Sequence, residues 1–143
     1  MSNFQNSSAG YLVNHMARLF ASSLHRRIKP LGLAPAQFLV LLELWQEEGR
    51  PQADLVAALD VEQATMANTL ARMERDGLIE RRASPTDRRS RLVFLTERAK
   101  SLEGEAKSAA QSVNAKALEV LSASEQAQFL EMTRRVVRSL QSD

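Results

Sequence analysis

Residues 59–96 limit the fold most tightly. They read LDVEQATMANTLARMERDGLIERRASPTDRRSRLVFLT. Within them Met66, Leu70 and Met73 recur at i, i+4 and i+7, with Ala67 and Ala71 on the flank, which is the spacing of one apolar helix stripe. Gly77 stands where a helix running from Ala64 to Arg75 must stop. Two runs rich in aliphatic and β-branched residues follow, Leu78 to Arg82 and Arg91 to Leu95, and both predict strands. Ser84-Pro85 and Asp87 mark a turn between them. A helix, a glycine stop and a long antiparallel hairpin in this order predict a winged helix-turn-helix.

The polar residues of this segment suggest its use. Gln63, Ala64, Thr65, Asn68, Thr69, Arg72 and Arg75 fall mostly off the apolar stripe. They are small, short polar or guanidinium groups that can approach base edges and phosphates closely. Between positions 81 and 91 there are five arginines (81, 82, 88, 89 and 91) against one acid, Asp87. Any single arginine there fits a solvated hairpin tip. Five together on an extended finger beside a polar helix fit a tool for the minor groove, because arginine sheds water more readily than lysine and suits a narrow electronegative cleft. Asp87, two residues before Arg89, is expected to hold that guanidinium in position. Arg75, Arg88 and Arg91 are expected on phosphates.

The region Leu55–Thr96 resembles the DNA-binding half of a MarR-family regulator. The residues that carry the likeness are Leu55-Val56-Ala57-Ala58-Leu59, Thr65, Leu70, Met73 through Arg81, Asp87-Arg88-Arg89 and Leu95-Thr96. Leu31-Gly32-Leu33 with Pro35 and Gln37-Phe38 extends it toward the N-terminus. Three positions depart from the usual pattern. Asp60 stands where glycine is frequent, although Asp tolerates the left-handed conformation better than most residues. Glu62 replaces a small capping residue, and Ala99 replaces a glycine. The resemblance implies a homodimer on a pseudo-palindromic double-stranded operator, acting as a repressor. It also implies release by a small aromatic or anionic effector in a cleft beside the dimer helices. Tyr11, His15, Arg18, Arg26 and Trp45 are the candidates for that cleft, although for each of them packing or plain exposure is the simpler explanation.

Composition narrows the alternatives. The net charge is only +2, and no lysine occurs between Lys29 and Lys100, so the basicity is local and made of arginine. That balance suits selective duplex binding better than indiscriminate binding. Few aromatic residues argue against a single-strand binder. The absence of cysteine excludes disulfides, thiol redox sensing and thiolate zinc sites. His15 and His25 stand ten residues apart on one predicted helix and cannot share a metal within it. No nucleophile-elbow serine or phosphate-binding glycine loop is present, so neither an enzyme nor a cofactor is expected. The N-terminus lacks a long apolar run with a cleavage site, and no segment approaches membrane-spanning length, which predicts a cytoplasmic protein without a membrane partner.

The 143 residues predict a single mainly helical domain with a small β-wing. Residues 1–8 are polar and expected to be loosely ordered. Helices are predicted over Ala9–Ile28, Pro35–Glu48 and Gln52–Leu59, then the helix of the opening segment. After the wing, Thr96 is expected to cap one long helix to about Leu121, with Gly104 as a mild flaw. Ser122 and Glu125 form a capping box for the last helix. That helix carries the stripe Phe129, Leu130, Thr133, Val136, Val137 and Leu140. The terminal helices, 9–30 and 97–143, are predicted to pair two copies, and residues 35–96 to read DNA. Two rivals remain: a winged-helix adaptor that no longer binds DNA, and a small-molecule binding protein using the interhelical cleft.

Overall fold

The structure, a computed structural model, describes residues 3–143. The first helix, α1 (Phe4–Ser7), is one turn whose Asn3 side chain accepts the Asn6 N–H. The expectation of loose order for residues 1–8 is therefore corrected from Asn3 onward; residues 1 and 2 lie outside the described residues. Helix α2 (Ala9–Ile28) has its predicted bounds, starts on the Ser8 hydroxyl and runs into a 3-10 turn ending at Gly32. Helix α3 (Pro35–Gln46) begins with proline in its first turn and stops short of Glu48. The early stop has a cause. The Glu48 carboxylate accepts the Leu95 N–H at 2.9 Å, and the Gly49 N–H donates to the Val93 carbonyl at 2.8 Å. The chain is thereby drawn into a short strand, β1 (Arg50–Pro51), in the gap between the two predicted helices.

Helices α4 (Gln52–Leu59) and α5 (Gln63–Arg75) form the helix-turn-helix. Between them Asp60 adopts the left-handed conformation at φ 52°, the role expected of it in place of glycine. Strands β2 (Ile79–Ala83) and β3 (Arg91–Leu95) pair antiparallel with Ile79 opposite Leu95 and Ala83 opposite Arg91. β1 adds on the other side of β3, so the strand order is β1-β3-β2. The wing is thus a three-stranded sheet rather than the two-stranded hairpin read from the sequence. Thr96 caps α6 (Glu97–Ser101) as expected, but the long helix is interrupted before α7 (Glu103–Leu118). Ser101 Oγ donates to the Arg98 carbonyl at 2.7 Å, the acceptor an unbroken helix offers to the Leu102 N–H. The Leu102 N–H turns instead to the Ala99 carbonyl, tightening the turn. Helix α8 (Ala123–Gln141) starts on the predicted capping box of Ser122 and Glu125.

The chain divides into two compact units, one ending at Ala110 and the other running from Gln111 to Asp143. The first has a continuous core that includes Ile28, Phe38, Leu41, Leu44, Leu55, Met66, Leu70, Met73, Leu78, Val93 and Ala106. On α3 the buried apolar set is Phe38, Val40, Leu41 and Leu44, while Leu39 is exposed. In the second unit α8 buries none of its side chains, and Leu130, Met132, Val136, Val137 and Leu140 are all exposed. No single helix among the described residues is long and apolar enough to cross a membrane.

Two features at the end of α5 hold the helix in place. The Leu78 N–H reaches back to the Met73 carbonyl and the Gly77 N–H to the Glu74 carbonyl, a double bond pattern that closes a helix on a left-handed residue. Gly77 supplies it at φ 72°, and a Cβ there would meet nothing within 4 Å. Gly77→Ala therefore carries a backbone cost alone, about 1–2 kcal/mol. Urea denaturation checks this, and an unchanged midpoint contradicts it. The second feature is Asp76, whose carboxylate accepts Gln37 Nε2 at 3.0 Å. That amide is the largest cause holding the Asp76 carboxyl below its ordinary range; desolvation opposes it, and Arg75 and Arg98 add to the lowering. A depressed carboxylate stabilises the fold above its unfolded pKa of about 3.9 and loses that contribution as pH falls through the lowered value. Asp76→Asn keeps an acceptor and removes the charge. Its stability should trail the native protein at neutral pH and converge with it in acid; parallel acid profiles contradict the assignment.

Candidate nucleic-acid interface

The apolar stripe predicted for α5 is its buried face: Met66, Leu70 and Met73 are all buried. Burying that stripe leaves Ala64, Thr65, Asn68, Arg72 and Arg75 exposed along the opposite side, with Gln63 exposed at the helix start. Thr69 is the exception. It is half-buried and its hydroxyl donates to the Thr65 carbonyl of its own helix at 2.9 Å, so its one polar proton is already engaged. The helix starts without a side-chain cap, since Glu62 makes no such bond. Its first backbone N–H groups and the partial positive charge of the helix start therefore remain available to an anion.

The wing arginines separate into two kinds. Arg81 and Arg82 belong to the scaffold. Arg81 Nε stands 3.7 Å from the Glu74 carboxylate, joining β2 to α5. Arg82 pairs with Glu80 at 2.7 Å and lies over the Phe94 ring, 4.1 Å from its centroid. Phe94 in turn packs against Gly49, where a Cβ would come within 3.1 Å of the ring. Arg91 is exposed, with one terminal nitrogen donating to the Arg81 carbonyl at 3.2 Å. Arg88 and Arg89 occupy the exposed tip, and among the described residues no carboxylate pairs with either.

The tip has a built shape. Ser84 Oγ accepts the N–H groups of Thr86 and Asp87, each at 3.3 Å, and the Ser84 N–H closes on the Ser90 carbonyl at 3.0 Å. Asp87 Oδ1 accepts the backbone N–H of Arg89 at 2.9 Å. This corrects the expectation that Asp87 would grip the guanidinium of Arg89. Its short side chain folds back on the main chain two residues on, the usual preference of Asp in a turn. The effect is to aim Arg89 through its backbone while leaving its cationic head without a carboxylate partner among the described residues.

The proposed effector residues fare differently. Tyr11, His15, Arg18 and Arg26 are all exposed on α2, and at about 100° per residue they share one stripe. Arg18 bonds Asn14 and Arg26 bonds Ser22 on the same helix. Trp45 is half-buried against the core. Its indole N–H donates to the Ala99 carbonyl at 3.0 Å, its ring meets Phe38 edge-on at 6.0 Å, and Lys107 lies 5.9 Å from its centroid. Packing accounts for Trp45.

Sequence reasoning missed a polar cluster behind α5. Gln37 and Asp76 are 39 positions apart, and Arg98 Nη1 donates to the Asp76 carbonyl, 22 positions away, at 2.6 Å. Local periodicity carries no sign of bonds across such separations.

The MarR family model matches residues 33–90, which run from α3 to the end of the wing. The chain is similar to a probable transcriptional regulator from Pseudomonas aeruginosa, at 28% identity over 92% of this chain and 98% of that one, with a TM-score of 0.85. It is similar to the transcriptional repressor CouR bound to a 23-mer DNA duplex, at 26% identity over 94% of this chain and 96% of that one, with a TM-score of 0.86. The PcaV transcriptional regulator from Streptomyces coelicolor, in complex with its natural ligand, shares the fold at a TM-score of 0.86 and 24% identity over 98% and 99% of the two chains. The MarR family pattern thus spans the helix-turn-helix and the wing, residues 33–90, and the chain has, over nearly its whole length, the winged helix-turn-helix fold of the transcriptional regulators it is similar to.

Proposed function

We propose that the protein is a homodimeric repressor that occupies a pseudo-palindromic operator and leaves it when a small aromatic or anionic effector binds. The observation that carries DNA reading is the pairing of an exposed polar face on α5 with a shaped wing tip whose Arg88 and Arg89 have no acid partner among the described residues. In this reading Gln63, Ala64, Thr65, Asn68 and Arg72 face major-groove base edges, Arg89 enters the minor groove, and Arg75, Arg88 and Arg91 hold phosphates. Thr69 has only an acceptor to offer, because its hydroxyl proton is engaged by the Thr65 carbonyl. Residues 35–96 form the reading part, and 9–30 with 97–143 form the pairing part of one MarR-like domain. The likeness to CouR, itself a repressor on a DNA duplex, supports both DNA binding and repression.

Pairing is supported by the exposed apolar residues of α8 in the second unit and, separately, by the exposed Leu12, Val13 and Leu19 on α2 in the first. A two-fold dimer sets its two α5 helices about one DNA turn apart, roughly 34–36 Å. The Tyr11, His15, Arg18 and Arg26 stripe offers an aromatic ring and two guanidinium groups to an anionic effector. Such a ligand acts only if it binds one spacing of the helices more tightly than the other. Gel filtration with a gel shift on the protein's own upstream region tests the reading. A dimer that shifts this DNA and not a scrambled duplex supports it; a monomer, or equal shifts, speaks for the adaptor or carrier alternatives.

A further inference from the structure

The C-terminal end of α5 is bonded to parts of the chain far from it in sequence. Gln37, 7% exposed, is the buried polar side chain among the described residues. Its two ends do different things. Oε1 accepts the Ala34 N–H at 3.1 Å and so starts α3, while Nε2 donates to Asp76 Oδ2 at 3.0 Å. From the other side Arg98 Nη1 donates to the Asp76 main-chain carbonyl at 2.6 Å. The second terminal nitrogen of Arg98 lies against Gly32, where a Cβ would come within 2.8 Å of it. Thr96 Oγ1 donates to the Gly77 carbonyl at 2.7 Å. The turn after α2, the start of α3, the end of α5 and helix α6 therefore meet at one carboxylate and one guanidinium.

Apolar burial alone does not aim a helix. The stripe of Met66, Leu70 and Met73 fixes how deeply α5 sits, but hydrophobic contact is non-directional. Hydrogen bonds are directional, and those at Asp76 bear on the tilt and rotation of the helix that presents Arg72 and Arg75. We infer that Gln37 and Arg98 are positioning residues for DNA reading: by holding Asp76 from two sides they set the angle of α5. This rests on the DNA-reading function proposed above. Because Arg98 lies on α6 and touches the turn that ends α2, the same node ties the reading helix to the segments entering and leaving the pairing helices. Neither residue needs to touch DNA.

The test uses the shape match between Gln and Glu. Gln37→Glu keeps the acceptor for the Ala34 N–H and replaces the donor to Asp76 with a second carboxylate. The charged groups facing that pair are Arg75 on α5 and Arg98 on α6. At about pH 8 the two carboxylates repel, and toward about pH 5.5 they can share one proton and restore the bond. Operator affinity of Gln37→Glu should fall about tenfold at the higher pH, or about 1.4 kcal/mol, and recover toward the native value at the lower one. Its base preference, read on single-base operator variants, should relax and recover in step. The double variant Gln37→Glu with Asp76→Asn reverses donor and acceptor and should regain affinity and preference at both pH values. A native protein that prefers no operator ends the DNA-reading proposal and this inference with it. A native protein that does prefer its operator, beside a folded Gln37→Glu with unchanged affinity and preference at both pH values, overturns this inference alone. If Gln37→Glu does not fold at the higher pH, the double variant decides: regained operator preference supports the node, and a folded double variant without it overturns it.

Discussion

Removing residues 126–143 is expected to leave a chain that no longer pairs and that binds operator little better than arbitrary duplex, a loss of roughly 10³-fold or more. The deletion takes away most of α8, whose apolar side chains Leu130, Met132, Val136, Val137 and Leu140 are all exposed. Core residues from Ile28 to Ala106 all lie before the cut, so the first unit keeps its own core. The truncated chain should therefore still unfold cooperatively while sedimenting as a monomer. A truncated dimer, or a monomer with native operator affinity, contradicts the assignment of α8 to pairing. Two half-sites read by one rigid pair bind far more tightly than one, which makes this the largest effect expected.

Arg89→Ala is expected to weaken operator binding by about 1–3 kcal/mol without changing thermal stability. The side chain sits at an exposed tip and pairs with no acid among the described residues, so its removal leaves no buried partner stranded. Its aim comes from the backbone bond to Asp87 Oδ1. Asp87→Ala should thus cost part of the same affinity, and Asp87→Asn, which keeps an oxygen acceptor, less. Arg82→Ala provides the contrast. Arg82 is engaged by Glu80 and the Phe94 ring, so its loss should appear in stability before it appears in base preference. Quantitative gel shifts at one fixed salt concentration, beside thermal melts, separate the two outcomes. Equal affinity for folded Arg89→Ala and native protein removes the minor-groove role.

Much of the fold was legible because it is written in short-range patterns. The i, i+4, i+7 stripe of α5 predicts its buried face, and Gly77 and the Ser122–Glu125 box predict helix ends that the backbone adopts. Asp60 was readable as a left-handed residue from its own chemistry. What escaped depends on distant partners. Arg50-Pro51 reads as a break because two residues carry no strand pattern, and only pairing with Val93 and Leu92 makes them a strand. The interruption at Leu102 turns on which hydroxyl claims the Arg98 carbonyl, a contest that periodicity does not record. The split of the five wing arginines was hidden for the same reason. Arg81 and Arg82 differ from Arg88 and Arg89 in being placed near Glu74, Glu80 and Phe94.

Two copies of the α5–wing pair are proposed to read one operator, and the mass of the protein–DNA complex on a duplex from the protein's own upstream region tests this most directly. Sedimentation equilibrium of that complex, with and without excess scrambled duplex, should give two protein chains per operator. The complex should survive competition because specific binding exceeds non-specific binding by about 10³-fold or more. A single chain per operator, or a complex dissolved as readily by scrambled DNA as by the operator itself, contradicts the account.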